Sequence, residues 1–378
     1  MESAVSKLHP LLLIGTRPEC IKMAPLVHES RMRDGVEPIV CFTGQHREMV
    51  DQIIDYFELK ADIDLALMKP DQSLSELSAR CISSIDRVLL EREPDYVVAQ
   101  GDTTTVMAAS VAAFFCNIPF VHVEAGLRTG DLMAPWPEEF NRRVASITAA
   151  IHCAPTQGSA DNLIGEGVDP STVHVTGNTV IDALLWTRGR ECDSEKWRDE
   201  TFSFLGDRRM VLITGHRRES FGGGFDEICN AIAELSSRFD DVAFVYPVHL
   251  NPNVQKTVRE TLSNRDNVYL IDPIAYPAFV WLMDRATVIL TDSGGIQEEA
   301  PSLRKPVVVM RDTTERPEAV DAGAAQLVGT SSEKIVATVS QLLTDPDEYA
   351  RRQLETSPYG DGGASRRIVD LMIAERPR

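Results

Sequence analysis

The stretch LLLIGTRPECIKMAP, residues 11–25, decides the fold. Four aliphatic residues end in Gly15, and a segment of helical period follows, with Pro18 where a first helical turn has no use for an N–H. A short apolar run that passes through glycine into a helix is the repeating unit of a parallel sheet with crossover helices. Working outward, that unit recurs almost from end to end. PIVCFTG (38–44), YVVAQG (96–101), PFVHVE (119–124), IHCAPT (151–156) and VHVTG (173–177) complete a first set of strand candidates. MVLITG (210–215), VAFVYPVH (242–249), VYLIDP (268–273), TVILTDSG (287–294), PVVVM (306–310) and AQLVG (325–329) form a second. The expected fold class is α/β, with two doubly wound parallel-sheet domains. The polar run RGRECDSEKWRDE, residues 188–200, marks the seam between them. The expected division is a Rossmann-like domain at 1–185, a second at 186–359, and a tail at 360–378 that reads as a glycine-rich loop and a short amphipathic helix.

Length agrees, since 378 residues at about 150 per domain allow two domains. Lys plus Arg number 38 against 57 Asp plus Glu, a formal net charge of -19. That sign argues against a nucleic-acid or anionic-membrane partner, because both need a broad basic face. A small anion held by a few focused Arg and Lys side chains stays open, because the global field is screened beyond about 8 Å. The seven cysteines are odd in number, scattered and never in a CxxC pair, which reads as reduced thiols in a cytoplasm. Residues 1–9 carry no apolar signal core. The longest apolar stretch, 106–123, is interrupted by Asn117, Pro119 and His122, so a buried helix and a strand are expected there rather than a membrane span.

In open parallel sheets, ligands bind beyond the carboxyl ends of the strands. Polar and charged residues cluster at those ends in both halves, and two such edges facing each other would form an interdomain cleft. After the first strand, Arg17 and Lys22 at a helix N-terminus make an anion site. The third and fourth strands end in Asp102 and Glu124, and Glu138 and Glu139 open a helix after Pro135 and Pro137. Asp102 before Thr103 also reads as a helix cap, and Glu138 and Glu139 also read as partners of the helix dipole. Glu124 resists such a reading, because a carboxylate that finishes a buried strand is desolvated unless something basic or functional meets it. In the second half, His216, Arg217 and Arg218 follow the first strand, where a histidine can donate to a phosphate, trade a proton or simply pack. His249 follows the next strand; Ser293, Gly294 and Gly295 open a helix suited to phosphate, with Glu298 and Glu299 in its first two turns.

No GxGxxG follows the first strand and no GxxxxGK[ST] occurs, so NAD and Walker-type ATP binding lack their main support. DSGG, residues 292–295, is also found around protease nucleophiles, but there it belongs to antiparallel barrels. His122 and Glu124 lack a third ligand for zinc. What remains is an anion-binding site with several carboxylates and no metal or redox cofactor.

The segments GTRPECIKMAPL, TGQH, QGDTTT, HVEAGLRTGDLMAPWPEEFNR, GNTVIDALL, TGHRRES, YPVHLNPNV and DSGGIQEEAPSLRKPVVVMRDTTERPEAV, in this order from about residue 11 to 329, resemble the non-hydrolysing UDP-N-acetylglucosamine 2-epimerases. The resemblance implies a GT-B fold: two Rossmann-like domains facing across a cleft, the second binding the nucleotide, with a C-terminal helix that returns to the first. It implies interconversion of UDP-GlcNAc and UDP-ManNAc without cofactor or metal, by anti elimination of UDP to 2-acetamidoglucal and re-addition. It places Asp102, Glu124 and Glu138 beside the sugar and His216 near the phosphates. Arg17 and Lys22 would stabilise the departing pyrophosphate, and Ser293, Gly294, Gly295, Glu299 and Arg316 would hold the nucleotide, Glu299 through the ribose. A homodimer and a second UDP-GlcNAc as activator, at Gln45, Arg217 and His249, are also implied. Three departures from the family pattern, Asp71, Ser220 and Arg304, bear on the effector and leave the catalytic positions unchanged. The alternatives are a hydrolysing relative, a GT-B glycosyltransferase, an epimerase of a 2,3-diacetamido sugar, and a sensor without turnover.

Overall fold

The computed structural model describes residues 7–44, 47–69, 71–215 and 223–377. The chain divides into two compact units, Met1–Ala183 with Tyr359–Arg378, and Leu184–Pro358.

In the first unit the order is β1 (Pro10–Ile14), α1 (Arg17–Met32), β2 (Ile39–Phe42), α2 (Arg47–Tyr56), β3 (Ile63–Asp64), α3 (Leu74–Arg92), β4 (Tyr96–Gln100), α4 (Thr104–Phe115), β5 (Phe120–Val123), α5 (Glu138–Thr148), β6 (Ala149–Ala154), α6 (Gln157–Gly165) and β7 (Val173–Val175). Helix α7 (Thr179–Glu191) then leads into the second unit. There, β8 (Arg209–Thr214), α8 (Gly223–Arg238), β9 (Val242–Pro247), α9 (Pro252–Leu262), β10 (Val268–Ile271), α10 (Tyr276–Arg285), β11 (Val288–Thr291), α11 (Gly294–Ser302), β12 (Val307–Val309), α12 (Pro317–Asp321), β13 (Ala325–Leu327), α13 (Ser332–Thr344) and α14 (Pro346–Arg352) alternate in the same way. The last helix, α15 (Ala364–Ala374), belongs to the first unit.

All strand pairs are parallel, in the orders β3-β2-β1-β4-β5-β6-β7 and β10-β9-β8-β11-β12-β13. Strands β1, β4 and β5 are buried along their whole length, which is why their sequences read as unbroken apolar runs rather than alternations. Leu11, Leu13, Val97, Ala99, Ala109 and Phe120 pack one core, and Val211, Ile213, Phe244, Tyr246, Leu290 and Val308 pack the other. Both units are thus Rossmann-like, in agreement with the α/β, GT-B class expected. Strand order reverses between β1 and β4 in one unit and between β8 and β11 in the other. Those switch points are where an open α/β sheet offers its crevice; in the first unit the turns 15–17 and 101–103 lie there, and in the second the turn 292–294 follows β11.

Two local expectations need revision. The polar run 188–200, expected as a linker, is mostly helical: α7 continues to Glu191, and after a turn at 192–193 a π-helical turn spans Lys196–Thr201. Strand β3 has no counterpart among the expected strands, because its two residues are too few to register as an apolar run. At the tail, the Asp182 carboxylate accepts the Ala364 and Ser365 amides, at 3.2 and 2.7 Å, so the start of α15 is capped by a group of opposite sign. The helix then packs along α1. Among the described residues no helix is long and apolar enough to cross a membrane.

Arg304 follows α11 at φ 57, a left-handed conformation. The left-handed backbone costs a non-glycine residue roughly 1–2 kcal/mol, of which glycine's own folding entropy would give back about 0.5–1 kcal/mol. Arg304→Gly is therefore expected to stabilise the second unit by roughly 0.5–1 kcal/mol in urea unfolding. A lower midpoint than the parent would contradict this.

Candidate active site

The β1–α1 turn is built around a buried carboxylate. Thr16 caps α1 and Glu19 completes a capping box, its Oε2 accepting from the Gly15 and Thr16 amides at 2.6 and 2.8 Å. The other oxygen, Oε1, accepts from the Thr103 hydroxyl at 2.5 Å, so Glu19 ties this turn to the one after β4. Burial pushes the Glu19 carboxyl above its ordinary value, against the pull of those hydrogen bonds, and the neighbouring Asp102 charge adds to the push. A Cβ on Gly15 would lie 2.7 Å from Thr105 Oγ1 and 2.9 Å from both Glu19 Oε2 and Thr43 Oγ1, so a side chain there would push aside the groups that hold the turn. Arg17, the first helical residue, is half-buried and meets no hydrogen-bond partner among the described residues.

Glu124 follows β5 at φ 62, an unusual conformation for a residue with a side chain, and is 7% exposed. Lys22 Nζ donates to both its oxygens, at 2.6 and 2.8 Å. The Gln100 amide also donates to it, as does Asn178 Nδ2 at 3.3 Å. Lys22, expected to face an anion, thus holds the carboxylate that finishes the strand. Asp102 lies at the neighbouring strand end, because Gln100 of β4 pairs with Val123 of β5. Thr103, not Asp102, caps α4. Asp102 Oδ2 instead accepts from Arg142 Nη2 of α5, while Asn141 Nδ2 donates to the Asp102 carbonyl at 2.9 Å.

Glu138 is the first residue of α5 and half-buried, and it has no polar partner among the described residues. The cis peptides Ala134-Pro135 and Trp136-Pro137 precede it. His122 is fully buried, and its Nε2 donates to the Gly101 carbonyl at 2.7 Å. Burial lowers its pKa to about 4, so it is a neutral brace behind the Asp102 turn and not a proton-transfer group.

In the second unit, Ser293 caps α11 through its backbone without a side-chain bond, and Gly294 and Gly295 open the helix. A Cβ on Gly294 would lie 3.2 Å from Arg316 Cζ, so the guanidinium rests on the helix start, whereas Gly295 faces open space. Arg316 is held by Glu298 at 2.8 Å and Glu315 at 2.7 Å. Glu299 is buried and accepts from the Tyr276 hydroxyl at 2.9 Å. His249 is exposed after β9, its Nδ1 accepting the Asn251 amide at 3.1 Å. Gln45, His216, Arg217 and Ser220 lie outside the described residues.

Five partners have no signal in the sequence reading: Glu19, Gln100, Arg142, Asn178 and Tyr276. Only the spacing Thr16-x-x-Glu19, a capping-box signature, could point to one of them.

The chain resembles known proteins along nearly its whole length. The family model described as UDP-N-acetylglucosamine 2-epimerase matches residues 28–373. The UDP-N-acetylglucosamine 2-epimerase of Escherichia coli (strain K12) is 53% identical over 370 residues, covering 97% of this chain and 98% of that one. The crystal structure of the UDP-GlcNAc 2-epimerase from Neisseria meningitidis, bound to UDP-GlcNAc, matches with a TM-score of 0.90 and 48% identity, covering 97% of this chain and 100% of that one. That from Methanocaldococcus jannaschii, in complex with UDP-GlcNAc and UDP, matches with a TM-score of 0.81 and 31% identity, covering 97% and 100%.

The ion pair at Glu124 can be tested without any ligand. Lys22→Met leaves a buried carboxylate without its cation and is expected to destabilise the first unit by about 3 kcal/mol in urea unfolding, whereas adding Glu124→Gln should restore most of that loss. Equal losses in the single and double variants would contradict the pairing.

Proposed function

The chain belongs to the UDP-N-acetylglucosamine 2-epimerase family, and on that premise we propose that it interconverts UDP-GlcNAc and UDP-ManNAc by eliminating UDP and adding it back. The hydrogen on C2 is too weakly acidic to be removed alone, so its loss is coupled to departure of the nucleotide. One carboxylate takes the C2 proton, the C–H electron pair becomes the C1=C2 bond, and the C1–O electrons leave with UDP. The product is 2-acetamidoglucal. Re-addition of UDP to C1 with a proton delivered to the other face of C2 inverts that centre. No electrons are exchanged overall, so the chemistry requires no redox cofactor.

Inversion needs two proton-transfer groups, one on each face, and Asp102, Glu124 and Glu138 are the candidates. The observation that carries this reading is the arrangement of Asp102 and Glu124 at adjacent strand ends, each bound by its own cation from a different helix. Negative charge develops on the leaving pyrophosphate, and Arg17 and His216 stabilise it. Ser293, Gly294, Gly295, Glu299 and Arg316 bind the nucleotide. A second UDP-GlcNAc at Gln45, Arg217 and His249 acts as activator, its affinity tuned by Asp71, Ser220 and Arg304.

The enzyme works in the cytoplasm, a reading supported by seven free cysteines, five of them buried. It works as a homodimer. Helices α3, α4 and α5 pack side by side and each precedes a strand of one parallel sheet, so their C-terminal ends share an edge. Leu90, Phe114, Phe115 and Ile147 stand exposed at those ends, an apolar patch suited to its own copy.

Incubation with UDP-GlcNAc in deuterated water, followed by proton NMR, separates the alternatives. Deuterium at C2 of both sugars is expected, with Asp102→Asn lowering turnover roughly 10²–10⁴-fold while UDP still binds. Irreversible release of UDP and free sugar would indicate a hydrolysing relative, and binding without reaction a sensor. Light scattering tests the assembly: the parent should have twice the chain mass and Phe115→Glu with Ile147→Glu the single mass. A monomeric parent would refute the dimer.

A further inference from the structure

We propose that Arg142, braced by Glu139, is a positioning residue for the epimerisation: it grips one oxygen of Asp102 and leaves the other, Oδ1, for proton transfer at C2. This rests on the reading of Asp102 as a proton-transfer group.

The geometry has three parts. Arg142 is 5% exposed and spans two carboxylates, Nη2 donating to Asp102 Oδ2 and Nη1 to Glu139 Oε2 at 3.0 Å. Glu139 is 0% exposed, and it also accepts from the Thr129 amide and from Arg143 Nε, both at 3.2 Å. Asn141, from the same helical turn, fixes the Asp102 main chain through its carbonyl. Side chain and backbone of Asp102 are therefore both held from α5. Among the described residues Arg142 is the one cation paired with Asp102.

A rigid planar fork suits this task and a flexible ammonium does not, since two carboxylates in fixed directions need two donors in fixed directions. Glu139 has no route to substrate through its own oxygens, which are occupied by Thr129, Arg142 and Arg143. Its function is to keep the guanidinium from turning. The same helix begins at Glu138, so one rigid element presents one carboxylate and orients another. Proton abstraction is sensitive to such placement, because a displacement of about 1 Å can cost on the order of 100-fold in rate.

The test uses Arg142→Lys, Arg142→Gln, Glu139→Gln, Asp102→Asn and the double variant Asp102→Asn with Arg142→Gln. Each is checked for native circular dichroism, then assayed for kcat, KM and C2 deuterium exchange. Arg142→Lys and Glu139→Gln are expected to lower kcat on the order of 100-fold with KM within about 3-fold, the signature of lost transition-state placement rather than lost binding. Lysine should not rescue glutamine fully. The double variant should exchange no more slowly than Asp102→Asn alone, as expected when one residue acts through the other. If Asp102→Asn is inactive while Arg142→Lys and Glu139→Gln keep parental kcat, the positioning role is refuted and the reading of Asp102 stands. Additive losses in the double variant also refute it. If Asp102→Asn turns over normally, the underlying reading fails instead. Should Arg142→Gln not fold, Arg142→Lys and Glu139→Gln decide the matter alone.

Discussion

A carboxylate set just past the end of a buried parallel strand has little water to stabilise it, so the protein must supply a cation or a set of donors. Every part of the first unit's switch point answers that requirement. Glu124 is met by Lys22, Gln100 and Asn178, Asp102 by Arg142, and Glu19 by two amides and a hydroxyl. The partners come from different elements: Lys22 from α1, Gln100 from β4, Arg142 from α5 and Asn178 from the turn before α7. Satisfying the charges therefore fixes how the crossovers sit around β4 and β5. An unpaired buried charge costs about 3–5 kcal/mol, a large share of the roughly 5–15 kcal/mol that holds a domain folded.

On the proposed function, the arrangement that solves a folding problem also prepares a reaction. Groups already held by packing and hydrogen bonds need not reorganise when a substrate arrives, which is the condition under which electrostatic catalysis is strongest. Glu124 illustrates the trade: its left-handed backbone is unfavourable for a residue with a side chain, yet it persists where four donor contacts hold the carboxylate. His122 shows the complement, a buried histidine kept neutral and used only to hold the Gly101 carbonyl.

Much of this architecture is legible in the amino-acid sequence. Parallel strands buried on both faces read as apolar runs, so LLLIG, YVVAQG and PFVHVE locate β1, β4 and β5, and the polar residues after them locate the switch points. The limits are equally physical. Capping is a matter of one residue's backbone angle, so Asp102 and Thr103 cannot be told apart by spacing. Glu138 and Glu139 are adjacent in sequence but face differently on α5, and only the second is buried among basic groups. The partnership of Lys22 with Glu124 spans 102 residues, and that of Arg142 with Asp102 spans 40. Pairing at such separations is set by sheet order, which no local pattern contains. Arg304, one of the three departures from the family pattern, sits at a positive φ, a backbone angle that glycine adopts without strain and that spacing alone does not reveal.

The most direct test of the central claim is a crystal structure of the Asp102→Asn protein with UDP-GlcNAc bound. C2 of the sugar is expected at reacting distance, roughly 3–3.5 Å, from the residue at position 102 or from Glu124 or Glu138, with carboxyl groups on both faces of the ring. A sugar seated away from all three, or approached by carboxyl groups from one face only, would contradict it.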